Sequence, residues 1–262
     1  MSASINRCVE TSRHGEITEL QLARPPVNAL NPALCADLRD ALAAALDDGA
    51  RGIILSGGPK VFSAGLDVPY LLSLGQDTAA LGDAWRGFFD TALALATCPV
   101  PIVAAMAGHA PAGGCVLALC CDYRVMGSGA DPERPFLIGL NETQVGLVVP
   151  DGIQQMLRRV VGAHRAERML LVGEMVDSAR ACEIGLVDEV VEPDQVTPRA
   201  LAWLQSLLAL PRSALLGTRA IARADLVEAL QPRRIQLDRL LQDWQGADTQ
   251  QALQALVARL GK

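Results

Sequence analysis

A short apolar run, Pro101-Ile-Val-Ala-Ala-Met106, leads through Ala107-Gly-His-Ala-Pro-Ala112 to Gly113-Gly114 and a second apolar stretch ending at Cys121. That junction limits the fold more than any other part of the chain. The first run is too short for a stable helix and suits a buried strand, here Val100 to Met106. The second, Gly113 to about Cys121, suits a short helix followed by a strand at Tyr123–Met126. The first N–H groups of a helix have no partner inside it. Small residues at that point let a ligand oxygen approach those donors closely, so the turn can hold an anion without a charged side chain.

The flanking sequence repeats the alternation of strand and helix. Glu16 to Leu22 reads as a strand, with Ile17, Leu20 and Leu22 its apolar members. Arg24-Pro-Pro-Val-Asn28 is an extended connector, because its prolines forbid a helix. Asn31-Pro32 has the form of an N-cap followed by proline at the first helical position. Leu34, Leu38, Leu42 and Leu46 then recur at four-residue steps, and Gly49 ends the helix. Ile53-Ile54-Leu55 is the next strand, within Gly52–Ser56. Strand–helix–strand units favour parallel pairing, so the fold class is α/β. A helix is expected over 77–97, another after Asp151, a third near Asp177–Ile184 and a strand around Val187–Val191. From Asp194 onward the chain reads almost wholly helical, interrupted at Pro211 and Pro232. The best internal boundary divides a core, 1–195, from a helical region, 196–262.

With 262 residues, half of them hydrophobic, the chain can bury a large core and further surface in an oligomer. The net charge is −6 and the only lysines are Lys60 and Lys262, so no basic stripe offers itself to nucleic acid. No run of about 18 uncharged apolar residues exists, so no membrane span is expected. The polar start, MSASINRCVETSRHGE, lacks the apolar core of a signal peptide, and a cytoplasmic location is expected. The seven cysteines are odd in number and irregularly spaced, which reads as reduced, buried thiols. Three histidines and no paired Cys spacing speak against a zinc site, and no metal is expected.

Two further segments join the glycine turn: Val61-Phe-Ser-Ala-Gly-Leu-Asp67 and Phe136-Leu-Ile-Gly-Leu-Asn-Glu-Thr-Gln-Val-Gly-Leu-Val-Val-Pro150. With Pro25-Pro-Val-Asn-Ala-Leu30 ahead of them and Gly185-Leu-Val-Asp-Glu-Val190 behind, they resemble the crotonase superfamily of acyl-CoA enzymes. Pro111-Ala-Gly-Gly-Cys115, Cys120-Cys-Asp-Tyr-Arg124 and Ile138-Gly-Leu-Asn-Glu-Thr143 look like its mitochondrial-type Δ3,Δ2-enoyl-CoA isomerase branch. The resemblance covers residues 10–195. It implies a crotonase-like α/β spiral of ββα turns, with C-terminal helices that build trimers or paired trimers or cover the active site.

It also implies a chemistry. A proton beside a thioester carbonyl is removed, and the charge that develops on the thioester oxygen is held by two backbone N–H donors, here those of Leu66 and Gly113; one such donor is worth about 2.7–4 kcal/mol. Ser63, Ala64, Gly65, Leu66 and Asp67 would lie along the CoA moiety, with Gly113 and Asn141 as further substrate contacts. Glu142 would be the base; Leu140, Val145 and Leu147 can desolvate it and raise its pKa toward neutrality. Hydratases of the superfamily carry a second Glu three residues after the first glycine of the pair. Val116 stands there instead and would form an apolar wall. One carboxylate suffices to move a proton from C2 to C4; adding water needs two groups.

The implied function is therefore isomerisation of 3-enoyl-CoA to trans-2-enoyl-CoA in the breakdown of unsaturated fatty acids. CoA enters as part of the substrate, and no cofactor is expected. The alternatives are another crotonase-type reaction, such as hydration, a non-catalytic CoA-thioester or RNA-binding relative, and a structural oligomer subunit. Other polar residues have plainer readings. His109 can serve as an acid or base, or as a packed loop histidine. Asp122 can anchor a helix end or an arginine such as Arg124. Asp151 has the position of a helix cap, although a second acid there would alter the chemistry. Asp67 can fix its own loop. Arg24 and Lys60 are candidates to meet CoA phosphates, although single basic residues in loops are usually solvated. Gly127–Pro135 is a few residues longer than the family pattern just ahead of Glu142, which bears on the placement of that carboxylate.

Overall fold

The computed structural model describes residues 7–129, 131 and 133–260. The first residues of the polar start, two positions of the 127–135 segment and Lys262 lie outside the described residues. The chain opens with a hairpin, β1 (Val9–His14) and β2 (Ile17–Leu22). Helix α1 (Pro32–Asp47) follows, and β3 (Gly52–Ser56) returns parallel to β2. Then come α2 (Val68–Ser73), α3 (Thr78–Ala96) and β4 (Ile102–Met106). The glycine turn links β5 (Ala110–Pro111) to α4 (Gly113–Leu119), ahead of β6 (Tyr123–Gly127) and β7 (Leu137–Gly139). After α5 (Asp151–Val161), α6 (Ala163–Val172), β8 (Met175–Asp177) and α7 (Ser178–Glu183), β9 (Glu189–Val191) completes the sheets.

The strands form a six-stranded sheet, β1-β2-β3-β4-β6-β9, parallel except for the first pair, and a small sheet, β5-β7-β8. This is the expected α/β class, organised as a crotonase-like spiral. β3 and β4 are buried throughout, so alternate residues serve two cores. Ile53, Leu55, Ile102 and Ala104 face the main core; Ile54, Val103 and Ala105 face a second cluster with Val196, Ala200 and Leu204. Those three residues belong to α8 (Val196–Leu208), which therefore closes the far face of the sheet.

Local signals explain α1. The Asn31 side chain accepts the Leu34 N–H at 2.9 Å, and Pro32 occupies the first turn. Leu34, Leu38 and Leu42 are buried as expected, but Ala45 takes the place of Leu46 at the end of the stripe. Four-residue steps drift around a helix of 3.6 residues per turn, and by the fourth the stripe has reached the core's edge, where Leu46 packs half-buried.

The helical tail continues as α9 (Arg212–Ala222), α10 (Ala224–Ala229), α11 (Pro232–Ile235), α12 (Leu237–Trp244) and α13 (Ala247–Leu260). It is tied to the core through Asp122, whose carboxylate accepts from Arg219 Nη2 and Arg223 Nη1, both at 2.8 Å, and from the Ile102 N–H. The expected partner, Arg124, pairs with Asp188 instead and donates to Leu186 O, because its strand neighbours β9. All seven cysteines are free, but Cys182 is exposed and Cys8 only half-buried, against the expectation that all are buried. Among the described residues no helix is long and apolar enough to cross a membrane, and no cluster of three or more His, Cys, Asp or Glu is placed to hold a metal ion.

Candidate active site

Two backbone amides meet at the start of α4. The Pro25–Leu30 connector lies against the 61–67 segment: Leu30 N–H donates to Gly65 O at 2.7 Å, and Asp67 N–H donates to Leu30 O at 3.0 Å. A parallel bridge of this kind uses the groups flanking Leu66 and turns the N–H of Leu66 itself to the other side. There it faces Gly113. A Cβ built on Gly113 would lie 3.4 Å from the Leu66 nitrogen. A Cβ is ~2.5 Å from its own amide nitrogen, so the two nitrogens stand no more than ~6 Å apart. Two donors that share one oxygen, each ~2.9 Å from it, span that distance at most. Neither amide donates to another group among the described residues.

The residue before this helix is strained. Ala112 adopts φ 47° and ψ −119°, the conformation of the first central residue of a type II′ turn, where glycine is usual. Its own N–H donates to Gly139 O at 2.8 Å, which ties the turn to β7. The strain turns the next amide, that of Gly113, toward Leu66.

β7 also delivers the carboxylate. Glu142 opens a 3-10 turn, Glu142–Val145, just after Asn141. The residue is half-buried, but its Oε2 is shut off from solvent and has no hydrogen-bond partner. Burial lifts its pKa from the ordinary carboxyl range to about 7, against the opposing pull of its own backbone N–H. A cavity of about 520 Å³ runs past these groups. Leu66, Gly113, Asn141 and Glu142 line it, and so does Val116, itself buried and apolar. Val145 and Leu147 line it beside the carboxylate, and Leu140 is buried behind them.

Several expected site residues stand elsewhere. Ala64 and Asp67 line the cavity; Ser63 and Gly65 do not. The Ser63 hydroxyl is fully buried and donates to Asn28 O at 2.8 Å, and Gly65 contributes its backbone alone, its carbonyl accepting from Leu30 and its Cα packing close to Gly113, so both support the loop. Asp67 caps α2 by accepting the Tyr70 N–H and pairs with Arg24 at 2.7 Å at the cavity wall. Lys60 is exposed and its carbonyl accepts from His109 N–H. His109 packs its ring edge on Phe136, and its Nδ1 accepts the Leu137 N–H at 3.0 Å. Burial lowers its pKa, and it does not line the cavity. Asp151 is the first residue of α5, not its cap, which is Pro150; its carboxylate faces Arg234 at 3.0 Å, outside the cavity. In the segment after Gly127 the Arg134 N–H donates to Asp131 O, and none of its described residues lines the cavity.

Sequence reasoning missed the far wall. Trp85, Phe88 and Phe89 of α3 line the cavity, as do Leu240 of α12 and Leu256 of α13. The aromatic group was visible as a local concentration in a chain with only 3 Trp and 4 Phe. The two leucines had no such signal.

Residues 12–260 match the model of the enoyl-CoA hydratase/isomerase family. The chain belongs to that family. Relatives within it carry both halves of its name. Mitochondrial enoyl-CoA delta isomerase 1 of Mus musculus is 38% identical over 205 residues, 78% of this chain and 69% of that protein. A probable enoyl-CoA hydratase of Mycolicibacterium paratuberculosis is 34% identical over 238 residues, 86% of this chain and 88% of that one. Among solved structures, human mitochondrial delta3-delta2-enoyl-CoA isomerase superposes with a TM-score of 0.89 at 31% identity, covering 97% of this chain and 98% of that one. Family membership supports an enzyme of crotonase type that acts on enoyl-CoA.

Proposed function

We propose that the protein moves the double bond of a 3-enoyl-CoA to the trans-2 position by a proton shuttle on Glu142. One observation carries this reading. Among the described residues two acids line the cavity, Asp67 and Glu142, and Asp67 is engaged by Arg24 and the α2 cap. Glu142 alone keeps a carboxyl oxygen without a partner.

In this scheme the thioester oxygen sits between the amides of Leu66 and Gly113. Glu142 takes a proton from C2. The electron pair of that C–H bond shifts toward the carbonyl, giving a dienolate whose oxygen the two amides stabilise. The same carboxyl then returns the proton to C4, and the double bond closes between C2 and C3. A carboxyl with a pKa near 7 can both take and give at neutral pH. Val116 has no basic atom to take a proton from an incoming water, which favours isomerisation over hydration. Trp85, Phe88, Phe89, Leu240 and Leu256 suit an acyl chain. CoA belongs to the substrate, and no further cofactor is part of the scheme. The trimeric or paired-trimeric assembly belongs to the same proposal; exposed Leu171, Val172 and Ile221 offer apolar surface for it, and light scattering tests it.

The test is turnover of a cis-3-enoyl-CoA beside hydration of crotonyl-CoA, for the natural protein and Glu142→Gln. Isomerisation that exceeds hydration and is lost with Glu142→Gln, while thioester binding persists, supports the reading. Full turnover by the variant removes Glu142 as the base, and dominant hydration removes the isomerase assignment.

A further inference from the structure

The unpartnered Glu142 Oε2 raises a question of aim. A carboxylate held by hydrogen bonds to both oxygens is oriented by them. This one is not, so its direction depends on the backbone beneath it. That backbone is a single four-residue 3-10 turn, closed by Gly146 N–H on Thr143 O and Leu147 N–H on Glu142 O. So short a turn is weak on its own. Side chains anchor it on two sides. Toward α6, Thr143 Oγ1 donates to Leu170 O at 2.8 Å and Gln144 Nε2 to Val172 O at 3.1 Å. Toward α13, Thr249 Oγ1 donates to Gly146 O at 2.7 Å.

The α13 anchor is the more telling one. Thr249 is buried, at 8% exposure, and lies 103 positions from its acceptor. Gly146 has φ +77°, and a Cβ there would stand 2.9 Å from the Ala252 Cβ, so α13 sits directly on the end of the turn. Thr249, Ala252, Leu253 and Leu256 follow the i, i+3, i+4, i+7 spacing of one helix face. Leu253 is fully buried, and Leu256 lines the cavity. One face of one helix therefore both grips the turn that carries Glu142 and walls the space for the acyl chain.

We propose that Thr249 is a positioning residue for Glu142, fixing the base through its hydrogen bond to Gly146 O and tying base placement to the docking of α13. This rests on the reading of Glu142 as the base.

The experiment compares Thr249→Val, which keeps the shape and removes the hydroxyl, with Thr249→Ser, each in the natural background and in Glu142→Gln. Displacing a catalytic group by about 1 Å costs up to ~100-fold, so Thr249→Val should lower kcat by about 10–100-fold. KM should stay within about 3-fold, and Thr249→Ser should recover most of the rate. In the Glu142→Gln background the valine should cost nothing further, because the group it positions is already disabled. An unchanged kcat in Thr249→Val overturns the proposal. So does an equal loss in both backgrounds, which would mark a packing role only. Should the valine variant not fold, Thr249→Ala is read by the same criteria. If Glu142→Gln keeps full turnover, the base reading itself fails and takes this proposal with it. If Glu142→Gln is inactive while Thr249→Val is normal, only the positioning role falls.

Discussion

Gly65 and Gly113 meet backbone to backbone: a Cβ added to Gly65 would lie 2.9 Å from the Gly113 amide nitrogen. Gly65 also sits at φ +82°, where a side chain is strained. Gly65→Ala should therefore push apart the two amides assigned to the thioester oxygen. Kinetics of the folded variant should show kcat/KM down by ~100-fold, the loss typical of one oxyanion donor. A variant within a few-fold of the natural rate would detach that pair of amides from the reaction.

The raised pKa of Glu142 makes two pH predictions. In the proposed role Glu142 acts ionised, so kcat/KM should rise with pH through about 7 and level off above it. For stability the sign is the reverse of the usual carboxylate case. The folded state holds this proton more tightly than the unfolded chain, so stability falls as pH rises from the ordinary carboxyl range through about 7. Glu142→Gln removes that penalty. It should stabilise the protein at pH 8 by up to ~3 kcal/mol relative to its effect at pH 4. Urea titrations at the two pH values check this, and equal effects at both would contradict a buried, high-pKa carboxyl.

Asp122 binds the tail to the core through two arginines whose side chains are 12% and 6% exposed, so its removal leaves two cations with no acid partner among the described residues, in a nearly dry site. Losing one member of a buried ionic cluster costs about 3–5 kcal/mol. Asp122→Ala should lower the urea midpoint accordingly. Arg86→Ala, which breaks an exposed i,i+3 pair with Asp83, should shift it by under about 1 kcal/mol.

These residues also mark what was legible in the sequence. Asn31-Pro32, the leucine stripe of α1 and the apolar runs of β3 and β4 are local patterns, and each became the expected element. β1 has one buried residue and no alternation, because it is an edge strand whose place comes from pairing with β2. β5 and β8, of two and three residues, are too short to carry a period. α6 was lost because Gly162 separates it from α5 by a single residue. The candidate site divides in the same way. Glu142, Leu66, Gly113 and Val116 stand in motifs with a family likeness, and they do converge on one cavity. Arg219 and Arg223 on Asp122, Thr249 on Gly146 and Leu256 on the cavity are contacts between segments about a hundred positions apart or more, and no local pattern announces them.

The apolar far wall predicts how chain length is read. Leu256 of α13 lines the cavity, as do the aromatic residues of α3. Leu256→Trp should fill part of that space. KM should rise by about 10-fold or more for a long-chain 3-enoyl-CoA and change little for a short-chain one. A uniform change for both would place the acyl chain elsewhere.

Val116 provides the sharpest test of why one carboxylate would isomerise and not hydrate. It lines the cavity from α4, three positions beyond Gly113, on the helix that begins between the two amides. Val116→Glu introduces a second carboxyl into a site only 2% exposed and already holding Glu142. Two carboxyls so placed cannot both ionise readily, and one keeps its proton near neutral pH. That is the arrangement water addition needs: one group activates water for attack at C3 while the other manages the proton at C2. Crotonyl-CoA hydration should rise at least ~10-fold over the natural protein, a modest share of what a placed general acid–base supplies. Isomerisation should fall, because the new side chain takes space from the acyl chain and alters the ionisation of Glu142. If hydration does not rise in a folded variant that still binds thioester, the valine is not what separates the two reactions in this chain.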